Sequence, residues 1–535
     1  MSLPDLTLQG SFGIGGAITA QSMVSGLSPV LSLLLGAAGG ALAGLATALL
    51  HLRLRLNVLI AGLVMTTAAY SICLIVMGSG NITLLGETTI FTWAEDLGLD
   101  PTVSLLLIGF ICSALIVGGL HLFLKTEYGL SLRAAGENIQ TARGLGIRTE
   151  QRQKVGLMIA NGLAGVSGGL VVQQQGFMDV SIQNGIIVIG LAAVMIGRSI
   201  IHSSRVLPTL ISVVLGILVY RIVVAAALDL GLNANYLQAL VALIVIVIIA
   251  ARVNIHRFKK SANSSRRSRK AEQNQFYEED RVASAGRQMV TAVNNVSLSV
   301  ERGVVVGILG SNGAGKSSLL SLVSGTTLPD EGAIYARGTD ITYSPSWKRV
   351  HVVARVRQNP EHNMLSPLTI EDNFALAVCR RNRRFGLRRA GGAKVRAQAA
   401  ELLEPLGMGL ENRLSAVTGT LSGGQRQAVA ITMASLGDPA VLLLDEHLAA
   451  LDPNSARKVS DITETLIRTK NITTLMVTHD MQHALERSDR LLMMHEGRIL
   501  LDFDKDAMVG LTPRDLHVRF AELAGESLPD STLLS

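Results

Sequence analysis

Eight apolar stretches of membrane-spanning length recur before residue 252, at about 11–27, 29–50, 57–78, 102–123, 154–174, 181–199, 207–228 and 235–252. Roughly 20 helical residues, rising about 1.5 Å each, cross a hydrocarbon core of about 30 Å. Lipid offers no partner to a free N–H or C=O, so runs of this length confine residues 1–252 to a bundle of helices. The first and sixth stretches are rich in glycine and spotted with polar residues, which predicts broken or re-entrant helices there. The chain of 535 residues is too long for one ordinary domain, and with 17% charged residues it is poor in charge for a soluble protein. Of three cysteines, Cys73 and Cys112 lie inside apolar runs, so no disulfide framework or metal spacing is visible. Met1 is followed by SLPDLTLQG, with neither the basic start nor the cleavage pattern of a secretory signal.

Basic residues orient the bundle. Arg53 and Arg55 close the second stretch, Lys125, Arg133, Arg143, Arg148, Arg152 and Lys154 fill the 124–154 segment, and Arg205 and Arg252 follow later ends. The 79–101 loop carries Glu87, Glu95, Asp96 and Asp100 and no Lys or Arg, so it faces outward and both ends of this half are cytoplasmic. The net charge of +7 then belongs to cytoplasmic loops and not to a nucleic-acid surface. Gly36, Gly40 and Gly44 form a small-x-x-x-small ladder that lets another helix approach closely. Thr66, Thr67, Tyr70, Asn161, Gln173, Asn184 and Arg221 are polar residues inside the stretches and candidates for a solute pathway. An intramembrane Arg costs about 2.5–3.5 kcal/mol, so Arg221 should face protein or water, or snorkel outward. After Val253 the run IHRFKKSANSSRRSRKAEQNQ is basic, Ser-rich and aperiodic. It reads as a flexible cytoplasmic linker, 253–275, drawn to anionic lipid; Phe258 alone stands among the charges, so nucleic acid is not expected.

From about Phe276 the pattern changes to apolar strand-like runs separated by helical segments, an α/β domain over 276–535. GSNGAGKSS at Gly310–Ser318 fits G-x-x-x-x-G-K-[ST], between the strand-like Gly303–Leu309 and the helix-like SLLSLVSG. In that setting the backbone of Gly310, Ser311, Asn312, Gly313, Ala314 and Gly315, with Lys316, Ser317 and Ser318, should cradle the phosphates of a nucleotide. Lys316 adds a point charge and the Ser317 hydroxyl can ligate Mg²⁺. Further along come RVRQNP with Gln358 at a strand end, a helical stretch with the basic run Arg380–Arg389, and TLSGGQRQAVAI containing Leu421–Gln425. The strand Val441–Leu444 delivers Asp445 and Glu446, followed by AALDP around Asp452 and by TTLMVTHD ending at His479.

These pieces, in this order, resemble the ABC-type ATPase family over nearly the whole second half. The resemblance implies that Gly310–Ser318 is the Walker A loop, and that Gln358 is the Q-loop glutamine contacting Mg²⁺ and the coupling helix. It implies that Leu421, Ser422, Gly423, Gly424 and Gln425 are the signature, which completes the nucleotide site of the other subunit. Asp445 is then the Walker B aspartate, Glu446 the base that activates water, Asp452 the D-loop residue and His479 the switch histidine on the γ-phosphate. The implied cofactors are ATP and Mg²⁺, the metal held by Ser317, Gln358 and Asp445, with Lys316, Glu446 and His479 serving catalysis. One Walker A and one signature per chain, against two composite sites in the family, imply a homodimer. In the first half GLSLRAAGENIQTARGLGI looks like the cytoplasmic coupling segment of branched-chain amino acid and ribose-type ABC importer permeases, and much of 4–252 is similar to them.

The expected fold is therefore an all-α polytopic membrane domain of about eight spans, then an α/β P-loop ABC ATPase domain with a helical subdomain. The function implied is ATP-driven import of an amino acid or similar small solute through the inner (plasma) membrane, fed by a separate extracytoplasmic solute-binding protein. The rival readings are an ABC exporter, which long cytoplasmic helices would favour, and a membrane-tethered regulatory ATPase, which would lack a polar pathway. Three departures accompany the resemblance. His447–Leu448 stands where most of the family has Pro–Thr, a DEH pattern similar to tryptophan/tyrosine-type importers, as are RVRQNPEHNMLSPLTIEDN and MMHEGRILLDF. Residues 278–309 contain no Phe, Tyr or Trp, so stacking on adenine would fall to Phe276 or Tyr277 across a hairpin. The permeases carry an apolar helix ahead of the segment matching PDLTLQGSF, which here begins at Pro4; either the true start lies upstream or this permease has one helix fewer.

Overall fold

The structure, a computed structural model, describes residues 4–201, 203, 205–231, 291–382 and 385–524. The expected eighth span at 235–252, the linker at 253–275, Phe276 and Tyr277 lie outside the described residues. The chain divides into two units, residues 4–124 with 150–231 and residues 125–149 with 291–524.

In chain order the helices up to residue 229 are α1 (Thr7–Val24), α2 (Pro29–Arg53), α3 (Val58–Met77), α4 (Ile90–Asp96), α5 (Pro101–Leu124), α6 (Glu127–Glu137), α7 (Ile139–Gly144), α8 (Thr149–Gln175), α9 (Ile186–Ile200) and α10 (Val206–Asp229). Among the described residues six segments are long and apolar enough to cross a membrane: α2, α3, α5, α8, Val180–Ile200 and α10. Seven of the eight expected stretches fall on described residues, and all of these but the first are among the six. The first expected span, α1, is a continuous 18-residue helix, neither broken nor one of the six, and most of its residues are buried against its neighbours. The sixth is broken as its composition suggested: a 3₁₀ turn over Val180–Gln183 ends at Asn184, and Gly185, at φ +84°, starts α9.

Glycine explains why α1 can sit inside the bundle. A Cβ on Gly15 would collide with the Gly165 backbone of α8, and one on Gly168 of α8 would collide with the Phe12 carbonyl. The Gly36–Gly40–Gly44 ladder of α2 receives the same helix, Gly40 lying against the Asn161 carbonyl and Gly44 against that of Leu157. Helices α1, α2 and α8 therefore meet backbone to backbone, as small residues allow. Polar side chains bind this contact. Ser11 Oγ donates to Asn161 Oδ1 at 2.7 Å, Asn161 Nδ2 donates to Asp5 Oδ2 at 2.7 Å, and the Thr7 and Thr47 hydroxyls lie 2.8 Å apart.

Several expected pathway residues are thereby engaged internally. Thr66 Oγ1 donates to the Leu6 carbonyl at 2.8 Å, Thr67 to that of Leu63 in its own helix at 2.8 Å, and Gln173 Nε2 to that of Pro29 at 3.1 Å. Gln9 Nε2 reaches Asn184 Oδ1 at 3.5 Å, while Tyr70 and Arg221 are exposed on their helices. Strands β1 (Asn81–Thr83) and β2 (Phe177–Asp179) pair antiparallel. They join the acidic 79–101 loop to the turn after α8, which the alternation of spans puts on the same side.

The second unit is built on a six-stranded sheet of order β10-β9-β3-β8-β7-β6. These strands are β3 (Val305–Gly310), β6 (Val353–Val356), β7 (Val441–Asp445), β8 (Thr473–Val477), β9 (Arg490–His495) and β10 (Arg498–Asp504); β4 (Tyr335–Ala336) and β5 (Thr339–Asp340) form a separate hairpin. Strands β9, β3, β8, β7 and β6 run parallel, and their near-continuous apolar sequences suit a sheet covered on both faces. Only the β9–β10 edge is antiparallel, turned by Glu496 and Gly497 at φ +45° and +79°, the two left-handed residues of a tight hairpin. The helices Ile370–Arg381, Ala393–Leu403 and Gly423–Ser435 make a second layer around Phe374, Leu403 and Met433. Leu130, Ala134, Ala142 and Ile147 of the 125–149 segment are buried in that same core. The segment that resembles a cytoplasmic coupling segment is thus two short helices packed into this unit, with Asn138 ending α6 and capping α7 through its contact with the Thr141 N–H at 3.0 Å.

Candidate functional site

Parallel strands end at one edge of a sheet, and that edge is where such folds gather loops for ligands. Here β3 ends in the Gly310–Ser318 loop, β7 in Asp445–Glu446, β8 two residues before His479 and β6 two residues before Gln358. The loop needs glycine where its backbone turns left-handed or is crowded. Gly313 and Gly315 have φ of +86° and +94°, and a Cβ on Gly315 would strike the Ala292 carbonyl. Ala314 is buried, its carbonyl accepting from the Gly497 N–H at 3.1 Å, while Ser311 and Ser318 are half-buried and Asn312 is exposed.

Lys316 opens the helix Lys316–Ser324 and folds back, its Nζ donating to the Gly310 and Ser311 carbonyls at 2.6 and 2.8 Å. Burial lowers its pKa, while Glu446 and Asp445 pull the other way. Ser317 Oγ lies 3.4 Å from Asp445 Oδ1, so a hydroxyl and a carboxylate converge where a hard cation beside phosphate could sit. Among the described residues no group of three or more His, Cys, Asp and Glu gathers to hold a metal. A cation at Ser317 and Asp445 would therefore take its other ligands from phosphate and water.

Glu446 leaves β7 with φ +45°, a conformation uncommon for a residue with a side chain and one that recurs at functional sites. The Val477 carbonyl accepts from its N–H at 3.0 Å, and its Oε1 lies 3.0 Å from His479 Nδ1. The turn thus aims the carboxylate at the tip of β8 while Asp445 stays in line with the strand. A carboxylate beside an imidazole at this edge can take a proton from water and hold the ring in orientation.

Arg355 is the contributor that the sequence motifs did not reveal. Its Nη2 contacts Asp445 Oδ2 at 2.6 Å, and its Nη1 reaches Ser321 Oγ at 3.1 Å on the helix after the loop. A lone Arg in the buried strand VARV was the available signal: a charge there needs a partner, and Asp445 on the adjacent strand supplies it. His447 was legible as a departure but not as a buried group. It is 3% exposed and its Nε2 has no hydrogen-bond partner. Burial, with His483 adding to it, pushes its pKa down to about 3, so the ring is neutral. It shares a small cavity with Ser460, Thr463, Met476 and His483 behind the Asp445–Glu446 turn.

The remaining candidates form a second cluster. Ser422 caps the helix Gly423–Ser435 in a reciprocal box: Gln425 N–H donates to Ser422 Oγ at 3.3 Å and Ser422 N–H to Gln425 Oε1 at 3.2 Å. Leu421 is buried, Ser422 is exposed, Gly423 is half-buried, and Gly424 lies against Ser455, where a Cβ would come within 2.8 Å of the serine Cβ. Asp452 Oδ1 accepts from that serine's N–H at 3.1 Å, capping the helix Pro453–Lys470. Among the described residues no hydrogen bond or ion pair links Leu421–Gln425 or Asp452 to the phosphate loop. Gln358 is exposed beside Arg357, whose backbone is pinned by Asn363 at 2.7 and 2.9 Å. Arg357 Nη1 donates to Gln140 of α7 at 2.8 Å, and Thr141 of α7 donates to the His362 carbonyl at 2.9 Å. Arg148 stacks over the Trp347 ring at 4.2 Å, and Arg133 faces Asp372 at 3.9 Å. The segment 125–149 is thus fastened to the loop that carries Gln358.

Comparison with known proteins accounts for both halves. Residues 1–250 match the family model for the branched-chain amino acid transport system / permease component, and residues 293–449 match the ABC transporter model. A tyrosine transport ATP-binding protein of Clostridioides difficile is 40% identical over 43% of this chain and 91% of its own length. A tyrosine transport system permease protein of the same organism is 33% identical over 49% of this chain and 86% of its own length. A methionine import ATP-binding protein of Haemophilus influenzae is 33% identical over 39% of this chain and 59% of its own length. The chain belongs to the ABC transporter family, a multi-pass membrane permease of the branched-chain amino acid type joined in one polypeptide to a cytoplasmic ATP-hydrolysing cassette.

Proposed function

We propose that two copies of this chain form an importer for an amino acid or similar small solute, delivered by a separate extracytoplasmic binding protein. The observation that carries this reading is that the two halves match two separate components of one organism's tyrosine transport machinery, each over most of that component's length. Lys316 and the Gly310–Ser318 backbone hold the ATP phosphates, and Ser317, Asp445 and Gln358 would bind Mg²⁺, which would offset phosphate charge. Glu446 takes the proton of the attacking water, and His479 donates to the γ-phosphate. Leu421–Gln425, capped at Ser422 and exposed there, serves the phosphate loop of the second copy, with Asp452 beside it. Closure of the pair then moves Gln358 and its loop, and α7 with them, so hydrolysis reaches the helices that α6–α7 connect.

The test is ATP hydrolysis by the purified chain in proteoliposomes, with and without candidate binding proteins loaded with tyrosine, methionine or branched-chain amino acids. Stimulation of severalfold by one loaded binding protein, with inward movement of its solute, is the expected result. Hydrolysis indifferent to every binding protein, with a drug or lipid moving outward, would replace the importer reading with an exporter.

A further inference from the structure

Between Asp372 and Glu401 the chain has no acidic residue, and it holds the basic run RRNRRFGLRR at 380–389. Arg380 has a structural role: it is buried, and its Nη2 donates to the Met433 and Ala434 carbonyls at 2.8 and 3.2 Å, near the end of the helix Gly423–Ser435. Among the described residues no hydrogen bond or ion pair engages the side chains of Arg381, Arg388 and Arg389, which are exposed, and Leu387 among them is 73% exposed.

Arg381 ends the helix Ile370–Arg381, and the backbone fixes where Arg388 and Arg389 stand. Thr126 pairs antiparallel with Arg389, and the ladder is extended by Ala390 N–H to the Lys125 carbonyl at 3.0 Å, Glu127 N–H to that of Arg388 at 2.8 Å and Tyr128 N–H to that of Gly386 at 2.8 Å. Glu127 Oε2 accepts from the Gly386 N–H at 2.8 Å. Lys125, also exposed, is bonded to Leu124, the last residue of the membrane-crossing candidate α5. Two residues of chain span at most about 7 Å, so this ladder starts where that helix ends.

We propose that Arg381, Arg388 and Arg389, with Lys125, bind anionic phospholipid headgroups of the cytoplasmic leaflet, with Leu387 entering the headgroup boundary. Charge complementarity selects the partner: the covalent link to α5 keeps a bilayer surface beside the patch, and the cytoplasmic leaflet is negatively charged. Each guanidinium can engage two phosphate oxygens at once, and an anionic headgroup lacks the choline cation that offsets this phosphate charge in a zwitterionic lipid. Because the same ladder leads into α6, where Arg133 faces Asp372, headgroup occupancy bears on the segment fastened to the Gln358 loop. The patch makes ATP turnover depend on anionic lipid.

The test compares the full chain with Arg381→Ser/Arg388→Ser/Arg389→Ser in nanodiscs of phosphatidylcholine alone and with about one third phosphatidylglycerol, reading ATP hydrolysis. For the unaltered chain, phosphatidylglycerol should raise the rate by about fivefold at low salt, an increase that shrinks at about 0.5 M salt as headgroup attraction is screened. The triple variant should lose most of that response while matching the unaltered rate in detergent, and the corresponding triple Arg→Lys variant should recover at least half of it. Equal lipid responses in the chain and the Ser variant, or no response in either, would overturn the proposal. So would reproduction of the effect in detergent by inorganic phosphate at matched ionic strength. If the Ser variant is inactive in detergent, Lys125→Ser provides the same comparison, and an unchanged lipid response there also counts against the patch.

Discussion

Glu446→Gln is expected to leave ATP binding within about twofold of the native chain while slowing hydrolysis by about 10²- to 10⁴-fold, the range for loss of a positioned general base. The geometry separates these two effects. Gln has the same shape as Glu, so it adopts the same left-handed turn at φ +45°, keeps its N–H on the Val477 carbonyl and still offers Oε1 to His479 Nδ1. Lys316, proposed to hold phosphate, and Ser317 and Asp445, proposed to hold Mg²⁺, are untouched. Only the capacity to accept the proton of water is lost. Binding is read with a fluorescent nucleotide and hydrolysis by phosphate release in the same preparation. Turnover at the native rate would remove Glu446 as the base, and lost binding would show that its charge holds the site together.

The second large effect is expected in the membrane half. Gly165→Ala should abolish a well-folded bundle or lower its thermal midpoint by more than about 10 °C, whereas Gly118→Ala should change it by no more than a few degrees. The two substitutions add the same methyl group to helices. At Gly165 the added carbon would lie 2.5 Å from the Gly36 carbonyl oxygen, a backbone atom that cannot rotate away. At Gly118 nothing lies within 4 Å, and alanine favours helix over glycine by about 1 kcal/mol. Thermal retention of the monodisperse chromatographic peak, measured on both variants in one detergent, makes the comparison direct. Equal stability of the two would mean that α2 and α8 do not meet at Gly36 and Gly165.

The contrast between these residues also shows what a sequence discloses. The nucleotide cluster was legible because its chemistry is local: Gly310–Ser318 needs a strand before it and a helix after it, and Asp445–Glu446 needs a buried strand to deliver it. The fold supplied both. Apolar length likewise gave most spans, since lipid imposes it directly. The stretch at 11–27 was among them, but its glycines, read as signs of a broken helix, instead let a continuous α1 approach α8 closely at Gly15 and Gly168. Arg355 and Asp445 are 90 residues apart in sequence and meet only because β6 lies beside β7. The 125–149 segment was legible as a cytoplasmic coupling segment by resemblance, but not as part of a core. Its small apolar set, Leu130, Ala134, Ala142 and Ile147, becomes core only when the helices around Phe374 surround it. In each case the missing information was which distant element would arrive, and local pattern does not carry it.

The central claim is that each ATP site is completed by a second copy of the chain. Lys316→Ala and Ser422→Asp, each introduced alone, should reduce hydrolysis to background, because one disables every phosphate loop and the other every signature. When the two variants are co-expressed and the mixed pair is isolated through two different tags, one site of each pair has an intact loop from one chain and an intact signature from the other. Hydrolysis by the mixed pair well above that of either variant alone is the predicted result. Mixed pairs as inactive as the single variants, from preparations in which the native pair is active, would contradict a site shared between chains.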